Sequence, residues 1–580
     1  MSIYQAPLAD MRFNLFTLWQ VQNFWQQNPQ LSERIETDTA SAILEEAGKI
    51  TAELIAPLAH EADQAGVKWQ QGVVTTPEHY KTNYQQLCEG GWTSLSGEPN
   101  FGGMGMPKTL GTLYEEMMCS ADIAFSLYPG LTAGACVALL QHADDTTKAQ
   151  VLPKLYSGEW SATMCLTEAH AGSDLGIMRT QAIPSDDSSY RIHGSKIFIT
   201  AGEHELTENI IHLVLAKLPD APAGSRGISL FLVPKYLLDS NGEKTSQRNQ
   251  LSCGSVEHKM GIHASASCVM NFDGAVGYLI GEPHKGLAAM FTMMNYERLA
   301  MGSQGVGAAE RALQNARLYS HDRLQGRTTI KDANKAEAII QHADVQRMLL
   351  TVKAYTEAGR SFSVFVAHQL DQAKFADDEL ALAIANLLTP VTKAFLTDRG
   401  FDSTVMAQQV FGGHGYIQEW GMEQWVRDVR IAQIYEGTNG IQALDFACRK
   451  LFSEQGRAIH HLLGLIEQNL AQLPQPLLTS LVQRYKAIVA GLAASPQQGS
   501  LLAAHACDLL DLTGYVLYGY MWNHTLVSLD ACEEGDAFIA AKRQTAQFYF
   551  ERLLPKANGY AAVLEQALAT PAQQIDITLI

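Results

Sequence analysis

The segment Ile434-Tyr435-Glu436-Gly437-Thr438-Asn439-Gly440 sets one carboxylate between an aromatic ring and a glycine. A carboxylate in an apolar pocket loses hydration, its pKa rises toward neutrality, and it can take a proton from carbon. Tyr435 supplies part of such a surround. Taken alone, a Glu after a Tyr is more often a helix entry or a surface position, so Glu436 gains chemical meaning only from what lies elsewhere. Upstream, Met164-Cys165-Leu166-Thr167-Glu168-Ala169-His170-Ala171-Gly172-Ser173-Asp174-Leu175 contains a Gly-Ser-Asp turn. Such a turn lets backbone N–H groups approach a diphosphate closely, with the Ser173 hydroxyl available to a phosphate oxygen. Gly194-Ser195-Lys196-Ile197-Phe198-Ile199-Thr200 follows, and Phe411-Gly412-Gly413-His414-Gly415 offers a second place where backbone can meet a phosphate. Removing a proton from one carbon and a hydride from its neighbour needs a hydride acceptor. No side chain is one, so the chemistry calls for a cofactor.

Other chemistries lack an anchor. Neither glycine cluster is a GxGxxG between a strand and a helix, and there is no HExxH, GxSxG or Walker A lysine. The eighteen histidines are scattered. His460-His461 reads as a helix surface, and no metal site is expected. Cys165, in a β-rich run, reads as packing rather than as a nucleophile. The nine cysteines form no CxxC pair and are odd in number, as expected of reduced thiols in a cytoplasmic chain. A formal charge of −18 argues against nucleic-acid binding, which needs a basic surface, but leaves room for a local basic pocket. Met1 to Pro7 lacks the charged and apolar regions of a signal peptide, and no apolar run reads as an integral membrane segment.

At 580 residues the chain is too long for one core. Residues 35–160 read as helical: Ala40 to Ala65 has helix spacing, and Thr75-Thr76-Pro77-Glu78 has the look of an N-cap and first turn. From Trp160 the character changes to short β-rich runs at 162–167, 190–200, 210–216, 228–233 and 267–273, separated by turn formers. Ile210 to Ala216 is nearly all apolar, as a strand covered on both faces would be. Helical periodicity returns near Gly286, with long stretches at Ala336–Arg360 and Glu379–Asp398. A last helical segment follows Pro474, Pro476 and the break at Pro496-Gln497-Gln498-Gly499. The fold class is therefore mainly α with a middle β domain. Four segments are expected: 1–160 helical, 161–282 β, 283–452 a helical bundle carrying Glu436, and 453–580 an additional helical domain.

Together, the Tyr-Glu-Gly-Thr loop, the Thr167 to Ser173 segment and the Phe198-Ile199-Thr200 strand resemble the acyl-CoA dehydrogenase family, over about residues 40–450. The resemblance implies a helical N-terminal domain, a β-barrel-like middle domain and a four-helix bundle, with FAD bound between subunits of a homodimer or higher homo-oligomer. It implies that Cys165, Leu166 and Thr167 meet the pyrimidine edge of the flavin. Gly172 and Ser173 would lie near the FAD phosphate and the substrate, and Phe198, Ile199 and Thr200 along the isoalloxazine. Phe198 stands where a Trp is common. Arg323, Gln409, Gly412 and Gly413 are implied to reach the cofactor of the neighbouring subunit, although Leu324-Gln325-Gly326 departs from the usual Phe-Gly after the arginine. Thr438 continues the FAD contact, while Gly440 replaces a frequent Gln. Tyr435, Glu436, Gly437, Ser173 and Arg298 are the implied substrate contacts, Arg298 toward CoA.

The implied reaction is α,β-dehydrogenation of a saturated acyl-CoA to the trans-2-enoyl-CoA, as in the β-oxidation of fatty acids. Glu436 is the α-proton base and flavin N5 accepts the hydride. The Glu436 N–H and a ribityl hydroxyl hold the thioester oxygen, and electrons pass to an electron-transferring flavoprotein. Glu297, in Tyr296-Glu297-Arg298-Leu299, matches the position from which a minority of the family supplies its base. With both carboxylates present, the base is assigned to Glu436, and Glu297 is read as neutralising a nearby arginine. Length and the segments Gly254 to Gly261 and Tyr319 to Arg327 resemble a larger bacterial branch carrying an extra helical C-terminal domain. Two rivals share the scaffold: an acyl-CoA oxidase that uses O₂, and a nucleic-acid-associated flavoprotein. The second expects a basic tail, whereas residues 455–580 hold seven Lys or Arg against ten Asp or Glu.

Overall fold

The β-rich runs between Trp160 and Ile280 pair into one closed sheet. A small hairpin of β1 (Lys68–Gln70) and β2 (Val73–Thr75) precedes it. The sheet contains β3 (Trp160–Cys165), β4 (Gln181–Pro184), β5 (Tyr190–Thr200), β6 (Asn209–Lys217), β7 (Ile228–Pro234), β10 (Leu251–Val256) and β11 (Ser267–Ile280). Between β7 and β10 the chain forms a two-stranded ribbon of β8 (Tyr236–Leu238) and β9 (Lys244–Arg248). β11 pairs with β5 and β7, β7 pairs with β6, and β4 joins β5 to β6, which closes a five-stranded ring. β10 extends the ring beside β11, and β3 runs parallel to β6. In β6 every residue but Lys217 is buried, which accounts for its unbroken apolar run. The hairpin β1–β2 interrupts the stretch read as helical, and β4, β8, β9 and β10 fall outside the expected runs. All are short or polar, so alternation over so few residues carries little signal.

The structure is a computed structural model describing residues 3–328, 332, 334–570 and 577–579, and the four expected segments distribute over two units. The first unit is built on Glu46–Ala300 with Arg427–Ile431. α1 (Lys108–Ala121) packs on α2 (Ile123–His142), α2 lies on β3 and β5, and α3 (Gly286–Asp322) begins against Ser229 of β7. Asp122 caps α2 by accepting from the Phe125 N–H at 3.1 Å, and the Tyr80 hydroxyl donates to it at 2.7 Å. Nearby, the helix expected after Thr75 begins at Glu78 with Pro77 as its cap, because Thr75 belongs to β2 and Thr76 bonds to Glu205.

The second unit comprises Pro7–Glu45, Met301–Val426 and Ala432–Ile580. Its long helices are the rest of α3, α4 (Ala343–Ala376) and α5 (Glu379–Val410), followed by α6 (Asn439–Asp445), α7 (Ala506–Ser528) and α8 (Asp536–Phe548). Asp378 starts α5 by accepting from the N–H groups of Leu380 and Ala381. The bundle and the last helical segment share one core. Tyr515 and Tyr355 meet through their hydroxyls at 3.2 Å, Trp522 donates to the Ala354 carbonyl, and Gly514 leaves room for the Phe395 ring. Pro7–Glu45, expected with the N-terminal helices, packs here instead. Asp10 is buried in ion pairs with Arg360 and Lys542. Burial alone would raise its carboxyl, but the two cations hold it down at about 2. Among the described residues, α2 and α5 are long and apolar enough to cross a membrane by length and composition alone. Most of each is buried against protein, as core helices are.

Candidate active site

In the first unit a short stretch of chain leaves β3 and is tied back onto β5. Glu168 and Ala171 exchange backbone hydrogen bonds of 3.0 Å and close a turn. The buried Glu168 carboxylate accepts from Lys196 Nζ at 2.9 Å, from the Thr180 hydroxyl at 2.6 Å, and from the N–H groups of Arg179 and Thr180. Burial would raise this carboxyl, but Lys196 and Thr180 outweigh it and hold the group at about 2. Lys196 also donates to the Leu166 carbonyl at 2.9 Å, the Ile197 N–H to the Thr167 carbonyl at 2.9 Å, and the Thr163 hydroxyl to the Thr200 carbonyl. These bonds set Thr167 beside the Ile197–Thr200 segment.

Phe198 sits in a bulge where two residues of β5, Ile197 and Phe198, face Val269 alone on β11. Its φ is +60° and the residue is 61% exposed, while Ile199 turns into the core. Leu166 and Cys165 are also buried. The Cys165 sulfur lies 3.8 Å from His212 Nδ1, and burial pushes the thiol up to about 12, which keeps it protonated as a packing residue. Gly172 and Ser173 are exposed, and a Cβ at Gly172 would meet nothing within 4 Å. An exposed phenyl ring beside two threonines, with an open Gly-Ser turn nearby in sequence, fits a flat heteroaromatic ring carrying a diphosphate. Farther along, Glu297 is buried with its carboxylate against Gly134 of α2, where a Cβ would come within 2.2 Å of Oε1. Arg298 is buried too, donating to Asn295 Oδ1 at 3.3 Å and lying 5.8 Å from the Phe291 ring.

The second unit holds the remaining expected residues in two places. At the end of α3, Tyr319 stacks on Phe411 at 4.1 Å, and its hydroxyl lies 2.9 Å from His414 Nδ1. This contact brings the chain bearing Arg323 to the end of α5, where Gln409, Gly412 and Gly413 are exposed. Nothing lies within 4 Å of a Cβ at either glycine. Elsewhere in the unit, Glu436 is left-handed at φ +55° and Gly437 at φ +82°. The Tyr435 hydroxyl donates to Gln304 Oε1 at 2.6 Å, and Gln442 Nε2 donates to the Glu436 carbonyl at 3.0 Å. Lys393 Nζ donates to the Gly437 carbonyl at 2.8 Å. Thr438 caps α6, its hydroxyl accepting from the Ile441 N–H at 3.3 Å. Sequence reasoning assigned no part to Lys196, Gln304, Lys393 or Gln442. A signal existed for two of them: Lys196 falls on the inward parity of its strand, and Lys393 sits in an otherwise apolar helical run.

Four family models match the chain: Acyl-CoA dehydrogenase, N-terminal domain over residues 37–159, middle domain over 163–275 and C-terminal domain over 284–451, and Acetyl-CoA dehydrogenase C-terminal like over 458–573. Among curated relatives, 3-methylmercaptopropionyl-CoA dehydrogenase of Ruegeria pomeroyi is 43% identical, covering 95% of this chain and 96% of its own. A butyryl-CoA dehydrogenase of Syntrophomonas wolfei is 34% identical, covering 91% and 92%. A solved acyl-CoA dehydrogenase from Bacillus anthracis, complexed with FAD, superposes with a TM-score of 0.68 at 20% identity. It covers 97% of this chain and 99% of that one, a likeness of fold.

Proposed function

Because the chain belongs to the acyl-CoA dehydrogenase family, we propose that it converts a saturated acyl-CoA thioester to the trans-2-enoyl-CoA with Glu436 as the α-proton base. Acyl-CoA dehydrogenases are FAD-dependent, and bound FAD supplies the acceptor for the hydride leaving the β-carbon. Thr167, Phe198 and Thr200 hold and shield the ring, and Gly172 and Ser173 meet the diphosphate. Arg323, Gln409, Gly412 and Gly413 reach the cofactor of a second copy, which makes the working form a homo-oligomer. Thr438 meets the cofactor beyond the base, and Arg298 and Ser173 belong to the CoA side. Electrons leave to an electron-transferring flavoprotein.

The observation that carries the assignment of the base is the backbone at Glu436. A glutamate in left-handed conformation gives up about 1–2 kcal/mol, and such a residue persists where its surroundings over-determine it. Held this way, the carboxylate takes the α-proton while the Glu436 N–H polarises the thioester oxygen, and the fixed geometry supplies the orientation. The names of the two curated relatives describe short, unbranched acyl groups, so a short linear acyl-CoA, thioether chains included, is the proposed substrate. The test is anaerobic bleaching of the bound flavin near roughly 450 nm across acyl-CoAs from short to long. Reoxidation by electron-transferring flavoprotein, and not by O₂, is expected. Fast reaction with O₂ would make the protein an oxidase, and Glu436→Gln with undiminished bleaching would remove the base.

A further inference from the structure

Two consecutive left-handed residues, Glu436 and Gly437, turn their carbonyls out of any helix or strand ladder, so side chains must satisfy them. Gln442 Nε2 serves both, at 3.0 Å and 3.3 Å. The second donor is Lys393, fully buried on α5, whose ammonium reaches the Gly437 carbonyl and Asn439 Oδ1, each at 2.8 Å. Asn439 passes the connection on. Its Nδ2 donates to Asp398 Oδ1 at 2.7 Å, to Thr397 Oγ1 at 3.0 Å and to the Ala394 carbonyl at 3.2 Å. Asp398 Oδ1 also accepts from Gln433 Nε2 at 2.6 Å, on the other side of the base. Both flanks of Glu436 are therefore tied to the Lys393–Asp398 stretch of one rigid helix. Taking an ammonium out of water costs several kcal/mol unless its partners are well placed. Here those partners are the loop itself.

We propose that Lys393, acting with Asn439, is a positioning residue for the dehydrogenation: it holds the Glu436–Gly437 turn in the one backbone conformation that aims the carboxylate. This rests on Glu436 being the base. The charge of Lys393 and that of Asp398 meet on Asn439 from opposite ends of its amide, so the amide is oriented and cannot flip without losing both contacts. A methionine of similar length would fill the space of Lys393 and leave the Gly437 carbonyl without that donor.

Lys393→Met in the full-length, FAD-loaded enzyme is the test. We expect FAD content to be unchanged and KM to stay within about threefold. kcat should drop by roughly 10- to 100-fold, the size of effect that a misplacement near 1 Å produces. Hydrogen exchange of the amides at 433–442 should quicken by at least about tenfold, while exchange at 160–200 stays as it was. Methylammonium should restore part of the kcat of Lys393→Ala and none of that of Glu436→Gln. Unchanged kcat, or a raised KM with kcat kept, overturns the proposal. Should Lys393→Met fail to fold, Asn439→Ala takes its place with the same expectations, and wild-type kcat and exchange there overturn it equally. If Glu436→Gln keeps its turnover, the assignment of the base falls by itself. The exchange at 433–442 in Lys393→Met then still decides, and an unaltered rate refutes the holding role.

Discussion

Phe198 and Glu436 are both side-chain-bearing residues in left-handed backbone, yet they are held by opposite means. At Phe198 the restraint is the sheet. Ladder pairs Ile199–Cys268 and Lys196–Met270 flank the bulge, and the Glu168–Lys196 pair pins the layer beneath. At Glu436 no ladder exists, and a handful of side chains from α3, α5 and α6 reach in to grip the loop's hydroxyl and carbonyls. Many modest backbone bonds let the sheet surface at Phe198 tolerate the loss of any one of those bonds. A loop held by three side chains, two donors and one acceptor, concentrates its geometry in those few contacts, which exposes it to single substitutions.

The largest effect should come from Glu436→Gln, which keeps the size of the side chain and removes the proposed base. kcat should fall by about 10²- to 10⁴-fold with FAD retained, as stopped-flow bleaching will record. A drop of less than tenfold would move the chemistry away from the loop. Next, Glu168→Gln attacks the buried pair under Phe198. Leaving a buried charge without its partner costs about 3–5 kcal/mol, so Tm should fall well below wild type at neutral pH. The sign of the pH dependence follows from the carboxyl standing at about 2 in the folded chain against 4.5 ordinarily. Its stabilisation is present above the ordinary value and is lost as pH falls through the folded one. The Tm gap between wild type and variant should therefore narrow between pH 4.5 and 2. A gap that stays constant over that window would show that the ion pair adds nothing.

Gly437→Ala is smaller in scale. The new Cβ would lie 2.7 Å from Gln442 Nε2 at φ +82°, so the methyl both strains the backbone and displaces a donor. About 1–2 kcal/mol of strain should appear as a kcat loss near tenfold with little change in Tm, and a fall in Tm without loss of kcat would contradict a loop specialised for aiming. The least effect is expected at Phe198→Gly. Freed of its Cβ, the bulge should gain up to about 1 kcal/mol, raising the Tm of the FAD-free protein slightly while FAD dissociates faster. If Tm instead falls, the ring packs within its own chain more than its exposure indicates.

Much of this was legible in the residue order. The change from helical spacing to short β-rich runs near Trp160, the doubly covered strand at Ile210 to Ala216, and the long helices after Gly286 emerged where periodicity is long enough to read, although the helix expected from Ala336 begins only at Ala343. The short polar strands did not, nor did the attachment of Pro7–Glu45. That segment belongs with distant helices because Asp10 finds Arg360 and Lys542, a match between positions hundreds of residues apart. The site shows the same division. Glu436 and the Thr167 to Ser173 segment are recognisable as motifs, whereas the side chains that hold them are ordinary lysines, glutamines and a glutamate until they are placed.

Residue order by itself determined which stretches curl, which extend and which motifs match the family, since turn formers, periodicity and reactive side-chain types are properties of neighbours in the chain. Tertiary structure alone decided that Lys196 meets Glu168 across 28 positions and that Lys393 meets Gly437 across 44. Such meetings depend on strand register and on how helices pack, and a buried charge takes whichever partner that packing delivers to it.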